Sequence, residues 1–467
     1  RQVQDAYIVA ARRTAVGKAP RGVFRNTRPD DLLAHVIKAA LADAPGIDPK
    51  RIEDAIIGCA MPEAEQGMNV ARIGMLLAGL PNSIGAMTIN RFCSSGVQAV
   101  ALAADRIRLG EADLMIGAGT ESMSMIPMMG HKIAMNPAVF QDENIAIAYG
   151  MGITAEKVAE QWKVTREAQD QFALASHQKA AAAIAAGEFN DEILPYEIDD
   201  RLPDLDKRDV RVVRKTIRQD EGPRADTTLE ALGGLKTVFR AGGSVTAGNS
   251  SQMSDGAGAV LLASEKAIKE FDLTPLARFV SFAVAGVKPD IMGIGPIAAI
   301  PKALKQAGLS KEDLDWIELN EAFAAQALAV TQDLGLDPGR INPLGGAIAL
   351  GHPLGATGAM ILGTVIDAIL VECDIIAHAS GVRPITYVWL ASLWLAFATT
   401  LHASLNWLTN RTLLATLFGL IGGPLAYIAG EKLGAVTLPQ GNLSLAVLAI
   451  EWAILTPLLT WKRGAHQ

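Results

Sequence analysis

Cysteine is scarce in this chain, with three residues among 467: Cys59, Cys93 and Cys373. They are far apart and odd in number, so they match neither the close ligand spacing of a zinc site nor an even disulfide framework. This usage favours a reducing compartment and predicts no metal bound by the protein.

Charge is sparse as well: charged residues make up 19% of the chain, the formal net charge is −7, and no basic stripe occurs. These values exclude the electrostatic footprint of a nucleic-acid-binding protein.

An apolar leader is also lacking, since the chain begins with the polar run RQVQD, which predicts a cytoplasmic location. Because half of the residues are hydrophobic, the chain can form a large core or two to three domains.

What is present, up to about residue 358, is an alternation of short apolar runs with alanine-rich stretches. It predicts strands at 6–9, 54–57, 114–116, 259–262 and 316–319, and helices at 29–43, 95–109, 165–187 and 297–307. Gly110, Gly187 and Gly308 lie where helix C-terminal caps are expected. The alternation predicts an α/β fold with helices over a buried sheet, and a change of composition predicts a loop domain inserted at about 121–245.

The last hundred residues have a different composition. Residues 385–408 and 413–430 carry no formal charge, and 443–461 is interrupted only by Glu451. Each run approaches the roughly 20 apolar residues that cross a bilayer, and five of the seven tryptophans fall in this part of the chain. We expect an all-α membrane tail over 360–467, with buried helices of a soluble domain as the alternative.

Cys93 lies between an apolar run at 86–89 and the predicted helix at 95–109. A thiol at a helix N-terminus has the first-turn N–H groups and the helix dipole to favour its thiolate, as a nucleophile requires. The alternative interpretation is a buried, inert cysteine.

Four separated motifs extend this pattern: NRFCSSG at 90–96, TAGNSS at 246–251, NEAF at 320–323 and GGAIALGHPLGATG at 345–358. In this order they closely resemble the thiolase family, and the RxCSSG form resembles its 3-ketoacyl-CoA (acetyl-CoA C-acyltransferase) branch. The resemblance implies two similar α/β halves in an αβαβα layering, which here correspond to 1–267, with the loop domain inserted, and 268–359.

The resemblance assigns three catalytic residues. Cys93 becomes the nucleophile, His352 the base that activates it, and Asn320 the holder of a water in the oxyanion hole. A satisfied core histidine and a plain helix N-cap are the competing interpretations of His352 and Asn320.

Binding residues follow from the same resemblance. Ser251 would contact the pantetheine arm of coenzyme A and Arg224 its nucleotide phosphates, while Phe239, Phe323 and Met151 would line the acyl and pantetheine channel. Each of the last three could equally be an ordinary core residue.

One family feature is missing. Relatives place a second cysteine in a Cys-x-Gly loop after the histidine, whereas Cys373, the only cysteine after His352, is followed by Asp374 and Ile375. We therefore expect a truncated second half, with sheet strands lost. The tail resembles a family of uncharacterised bacterial multi-span membrane proteins, which suggests a join between unrelated coding regions rather than a native membrane-tethered enzyme.

The expected activity is acyl transfer: thiolytic cleavage of a 3-ketoacyl-CoA by CoA, or the reverse condensation, through an acyl-Cys93 intermediate. Coenzyme A enters as a substrate, and no metal or redox cofactor is expected. A catalytically impaired, membrane-attached acyl-CoA binder and an acetoacetyl-CoA-forming acetyltransferase remain as alternatives. The resemblance also implies a homo-oligomer, with the tail in a bacterial inner membrane.

Overall fold

The structure, a computed structural model, describes residues 3–141 and 150–372, together with Thr416. Residues up to Val371 form one compact unit. The tail segments predicted to span a membrane, and Cys373, lie outside the described residues. Among the residues that are described, no helix is both long enough and apolar enough to cross a membrane.

Strands and helices alternate along the described chain as the apolar pattern predicts. The strands are β1 Ala6–Arg13, β2 Gly17–Lys18, β3 Asp54–Gly58, β4 Gly85–Ile89, β5 Leu114–Ser122, β6 Tyr196–Asp204, β7 Asp209–Ile217, β8 Ser254–Ser264 and β9 Ala277–Phe279. The helices are α1 Pro29–Ala42, α2 Val70–Leu77, α3 Ser95–Arg108, α4 Met151–Gln161, α5 Arg166–Ala186, α6 Leu229–Gly233, α7 Glu265–Phe271, α8 Gly295–Ala307, α9 Ala324–Leu334, α10 Ala347–Leu350 and α11 Leu354–Glu372.

One mixed sheet organises the first half, in the strand order β4-β3-β5-β8-β1-β9, with β2 beside β8. β3 runs parallel to β4 and β5, and β8 runs antiparallel to β5 and β1. Because β5 and β8 are buried at every position, both faces of the sheet are covered by other elements.

The two faces of the sheet are packed differently. On one face, Leu33 and Ile37 of α1 join Ile57 and Ile116 of the strands in the main hydrophobic cluster. On the other face, glycine replaces large side chains: a Cβ at Gly117 would lie 2.7 Å from Cα of Val100 in α3. α3 therefore lies directly against the sheet, which brings its N-terminus close to the carboxyl ends of β3 and β5.

The second half has little regular sheet within the described residues. The predicted strand at 316–319 forms only an isolated parallel bridge between Ile317 and Ile341. α8 has no buried residue, and Val280 and Val284 are exposed. A strand forms only where a neighbouring segment pairs with its backbone, and among the described residues these segments have few such neighbours.

Helix α11 runs through the boundary predicted at 359/360. It continues without a break from Leu354 to Glu372, and Ala359, Met360, Ile366 and Ala368 are all buried. Residues 360–371 therefore pack with the α/β unit.

Candidate active site

Cys93 lies in a tight turn between β4 and α3. The backbone of Phe92 takes a left-handed conformation (φ 45°), which is unusual for a residue with a large side chain, and a short 3-10 turn over Phe92–Ser94 leads directly into α3. The turn places Cys93 at the edge of the sheet formed by the carboxyl ends of β3 and β5. There Cys93 is partly buried and packs against the cluster that contains Met61, Met123 and Leu354.

Polar residues of the motif hold this turn. Asn90 Oδ1 accepts the N–H of Phe92 at 2.8 Å, and Ser95 Oγ accepts the N–H of Arg91 at 2.8 Å while it donates to the carbonyl of Phe92 at 2.6 Å. Asn and Ser side chains stabilise such non-helical backbone by local hydrogen bonds. The NRFCSSG motif is therefore explained by the geometry of the turn.

The helix start does not make Cys93 a resting thiolate, contrary to the sequence-based expectation. Burial raises the pKa of the Cys93 thiol to about 12, the charge of Glu121 raises it further, and the N–H of Cys93 itself only partly opposes the rise. A thiol of this kind needs a base to remove its proton when it reacts.

His352 is the base candidate that the fold provides. Its ring is buried, and burial lowers the pKa of the imidazole to about 4, so the ring is neutral and able to accept a proton near pH 7. The backbone N–H of His352 donates to Ser254 Oγ at 3.0 Å, and Gly351 before it takes φ 103°, where a Cβ would lie 2.6 Å from that hydroxyl oxygen. The residue before His352 is thus required to be glycine.

Both ring nitrogens of His352 have partners. Nδ1 lies 2.7 Å from Thr357 Oγ1, and Nε2 lies 3.3 Å from Asn320 Nδ2. Since an amide nitrogen can only donate, we assign the proton of the neutral ring to Nδ1, which donates to Thr357, and the lone pair to Nε2.

Asn320 keeps one hydrogen-bonding group free. Its Oδ1 is buried and has no partner among the described residues. Asn320 is not an N-cap, because α9 begins at Ala324 with Phe323 before it. Glu321, the next residue, accepts hydrogen bonds from Ser176 Oγ and the N–H of Ile348, which fixes this segment beside the His352 loop.

The starts of α3 and α11 meet through glycine. A Cβ at Gly96 would lie 2.6 Å from the N atom of Ala359, and one at Gly358 would lie 2.2 Å from the N atom of Val97. Two helices can approach this closely only where the side chains are absent. The contact brings the Cys93 turn and the His352 loop to the same edge of the sheet.

The predicted channel residues form a second group. The rings of Phe239 and Phe323 pack edge to face with centroids 6.1 Å apart, and Phe239 covers Gly152, the residue after Met151. Ser250, next to Ser251, forms a β-bridge with Phe323, and Ser251 donates its N–H to the carbonyl of Ala322 at 2.9 Å. The structure therefore brings Phe239, Phe323, Met151 and Ser251 together, and their binding roles remain predictions.

Arg224 lies apart from this group in the contacts of the described residues. Its side chain is exposed, and its N–H donates to Nδ1 of the buried His177 at 3.2 Å. The loop that carries the guanidinium is thus anchored on α5, and the role of Arg224 in phosphate binding remains a prediction as well.

Sequence reasoning missed two functional candidates. Thr357 lies in the motif at 345–358 and holds His352 Nδ1, a role that the motif alone does not indicate. Glu121 is fully buried at the end of β5 and shares its surroundings with Cys93. An acidic residue at the end of an otherwise apolar strand is the signal that could have identified Glu121.

These features define an α/β protein with a candidate cysteine nucleophile at a strand-to-helix turn and a neutral histidine in a loop at the same edge of the sheet. Family models for "Thiolase, N-terminal domain" and "Thiolase, C-terminal domain" match residues 6–266 and 273–380. The chain belongs to the thiolase family. A third model, "Protein of unknown function (DUF2878)", matches residues 353–458 and overlaps the second.

Characterised relatives cover the α/β unit. A 3-ketoacyl-CoA thiolase of Bacillus subtilis is 50% identical over 365 residues, which are 77% of this chain and 91% of the relative. The peroxisomal 3-ketoacyl-CoA thiolase 2 of Arabidopsis thaliana is 47% identical over 365 residues, which are 78% of this chain and 77% of that protein.

Solved structures agree with this assignment. The human mitochondrial 3-ketoacyl-CoA thiolase superposes with a TM-score of 0.70 at 40% identity, and the Bacillus anthracis acetyl-CoA acetyltransferase with 0.70 at 39%. Each alignment covers 79% of this chain and 93% of the other. The expected thiolase-type α/β fold is confirmed.

Proposed function

We propose that this chain is an acetyl-CoA C-acyltransferase that cleaves 3-ketoacyl-CoA with CoA. The observation that carries the proposal is that the contact of α3 with α11 brings two segments to one edge of the sheet: the turn of Cys93, protonated at rest, and the loop of His352, whose unprotonated Nε2 faces Asn320. The 3-ketoacyl-CoA thiolases of Bacillus subtilis and Arabidopsis thaliana support the substrate class.

In the proposed reaction, His352 Nε2 takes the thiol proton while Cys93 Sγ attacks the 3-keto carbonyl. The bond between the carbonyl carbon and the α-carbon then breaks, which leaves an acyl group on Cys93 and a carbanion of acetyl-CoA, and the proton that His352 Nε2 took from the thiol neutralises this carbanion. The thiol of a second CoA attacks acyl-Cys93, and the Cys93 thiol forms again. Asn320 Oδ1, which lacks a partner among the described residues, is suited to hold a water that stabilises the oxyanion.

Steady-state thiolysis tests this proposal. The purified full chain is expected to release at most one equivalent of acetyl-CoA per site from a 3-ketoacyl-CoA alone and to sustain the release only when CoA is added, and Cys93→Ala is expected to abolish both. Turnover that survives in the folded Cys93→Ala protein would exclude the acyl-Cys93 route.

A second candidate is an acyl-CoA binder that acylates without turnover. The sequence favours it because the only cysteine after His352 is Cys373, which is not followed by the family's glycine loop. Loss of a positioned acid typically lowers a rate by about 10² to 10⁴, and loss of one oxyanion donor by about 10² to 10³. Acyl-Cys93 that accumulates and is not discharged by CoA would identify this candidate.

A third candidate is acetoacetyl-CoA formation, which the structural similarity to the Bacillus anthracis acetyl-CoA acetyltransferase favours. It differs from the first proposal in direction and chain length. Comparable rates on acetoacetyl-CoA and a medium-chain 3-ketoacyl-CoA are expected for the broad-range enzyme, whereas turnover limited to acetoacetyl-CoA would favour the third candidate.

The remaining expectations are part of the proposal. We infer a cytoplasmic α/β unit that acts as a homo-oligomer, uses CoA as a substrate and needs no metal or redox cofactor. We also infer that the tail at 385–461 inserts into a bacterial inner membrane, which the uncharged runs at 385–408 and 413–430 support. Carbonate extraction of membranes tests this: the full chain should stay in the pellet, and its release would contradict insertion.

A further inference from the structure

Glu121 is a fully buried carboxylate that receives hydrogen bonds from two distant segments. Its Oε2 accepts the N–H of Ala60 at 2.7 Å and the N–H of Gly355 at 2.9 Å. Its Oε1 accepts the N–H of Met61 at 3.1 Å and a donor from the side chain of Gln66. A single side chain thus joins the loop after β3 to the first turn of α11.

The hydrogen bonds continue from this carboxylate to the Cys93 turn. The carbonyl of Ala60 accepts Asn90 Nδ2 at 3.0 Å, and Asn90 Oδ1 in turn accepts the N–H of Phe92, the residue before Cys93. At the other end, Gly355 lies three residues after His352. A continuous path therefore connects the segment that carries the nucleophile to the segment that carries the base.

We propose that Glu121 is a positioning residue, which sets the spacing between Cys93 and His352 by fixing the start of α11 against the loop after β3. This inference rests on the proposed roles of Cys93 and His352. Glu121 would act through the segments that it holds, since its nitrogen partners are the backbone N–H groups of Ala60, Met61 and Gly355 and the side chain of Gln66.

The surroundings of Glu121 require a carboxylate of this length. Burial raises the pKa of Glu121, and its four nitrogen donors oppose that rise because each donates to the ionised form. The Cys59 thiol also lies 3.7 Å from Oε1. An amide at this position would direct its own N–H groups at two of the nitrogen donors. Glycine makes the reach possible: a Cβ at Gly119 would lie 2.2 Å from the carbonyl oxygen of Gly355, and one at Gly355 would lie 2.7 Å from Cα of Cys59. The N–H of Gly355 can therefore reach Oε2.

The variant Glu121→Asp separates position from charge. It keeps the negative charge near Cys93 but is one methylene shorter, so it cannot hold Ala60 and Gly355 at the present distances. The readout is the rate at which iodoacetamide alkylates Cys93, assigned by peptide mass mapping so that Cys59 and Cys373 are counted separately. We expect at least a tenfold slower alkylation, since small misplacements of reacting groups lower rates by up to about 10².

A double-variant cycle tests the link to His352. In the parent chain, His352→Ala should slow alkylation of Cys93 strongly, because the base is lost. In the Glu121→Asp background the same substitution should slow it by a much smaller factor, because the base is already displaced. If His352→Ala slows alkylation by the same factor in both backgrounds, the two substitutions act independently and the proposal is overturned.

Glu156→Asp is the matched control. Glu156 is another buried carboxylate that accepts backbone N–H groups, from Ser244 at 2.9 Å and Val245 at 2.9 Å, and it lies on α4. The Glu156→Asp variant should lower the melting temperature as Glu121→Asp does and leave the rate of Cys93 alkylation unchanged. A parent-like rate in Glu121→Asp, or an equal slowing in Glu156→Asp, would contradict the positioning role.

A second variant covers the case in which Glu121→Asp fails to fold, and the alkylation readout separates this test from that of the proposed function. If Glu121→Asp does not fold, Gln66→Met removes one side-chain donor to Glu121 and should slow alkylation in the same direction by a smaller factor; an unchanged rate there would overturn the proposal. Alkylation of Cys93 does not require turnover. If the parent chain shows no thiolysis, that result counts against the proposed function, and the alkylation rates still test the positioning role of Glu121.

Discussion

At the residue scale, the state of His352 decides whether the site can work. Nδ1 faces Thr357 and Nε2 faces Asn320, so the ring has one orientation and one tautomer, with the basic lone pair on the side of Asn320. Burial lowers the pKa of His352 to about 4 and raises that of Cys93 to about 12. Both groups are thus neutral at rest, and in the proposed reaction the proton leaves Cys93 only when the thiol attacks.

Thr357→Val tests the orientation of the ring. Valine keeps the shape of the side chain but cannot accept from Nδ1, so the tautomer with the lone pair on Nε2 loses its support, and kcat/KM for thiolysis should fall about tenfold or more. Thr331→Val on α9 is the control, because the Thr331 hydroxyl only donates to the carbonyl of Ala327 in its own helix. Equal kcat/KM in Thr357→Val and the parent would contradict the assigned tautomer.

The motif residues could be predicted from the sequence, whereas their partners could not. Cys93, Asn320 and His352 lie in motifs that resemble a known family. Glu121 reaches Gly355, which is 234 positions away, and such a contact exists only once the two halves have packed. The helix-dipole argument gave the wrong direction for the pKa of Cys93, because it took no account of burial and of the Glu121 charge.

At the element scale, the site depends on how closely α3 and α11 approach. Their contact is made by Gly96 and Gly358, and both helices lie against the glycine positions of β5. The predicted helices 95–109 and 165–187 are confirmed as Ser95–Arg108 and Arg166–Ala186, since caps and apolar spacing are local signals. The strand at 316–319 was predicted from equally local signals, but a strand also needs hydrogen-bonding neighbours, and only the Ile317 bridge forms among the described residues.

Gly358→Ala should separate the two helices. Its Cβ would lie 2.2 Å from the N atom of Val97, a backbone atom that cannot move aside, so we expect a loss of about 1–3 kcal/mol in the free energy of unfolding and slower thiolysis. Gly363→Ala in the same helix is the control, because its nearest atom is the Cβ of Ala11 at 3.7 Å, an ordinary contact. That variant should be neutral or gain up to about 1 kcal/mol of helix propensity. Urea unfolding measures both, and equal effects would contradict the close contact.

At the scale of the whole molecule, two buried neutral histidines link stability to pH. Burial lowers the pKa of both His352 and His177 from 6.5 to about 4. Between these values the unfolded chain binds more protons than the folded one. The contribution of these two neutral histidines to the free energy of unfolding is therefore complete above pH 6.5 and is lost as the pH falls toward 4.

His177→Asn tests this linkage away from the candidate active site. An asparagine oxygen can still accept the N–H of Arg224, but it does not titrate. The contribution of the neutral His177 ring should be lost between pH 6.5 and pH 4. Glu192 and Glu318, whose pKa values burial raises to about 7 and about 8, change the free energy of unfolding in the opposite direction in both proteins, so the test is the difference between parent and variant. The variant should lose clearly less over the same interval in urea titrations, and an identical pH dependence would show that His177 is not buried as a neutral ring.

The central claim is acyl transfer through Cys93, and trapping the acyl-enzyme tests it most directly. The full chain is mixed with a 3-ketoacyl-CoA, quenched in acid and mapped by peptide mass spectrometry, with and without a chase of CoA. We expect the acyl mass on the Cys93 peptide, its disappearance in the chase, and no label in His352→Ala on the same time scale. An unlabelled Cys93 in folded protein, or an acyl group found on another residue, would contradict the account.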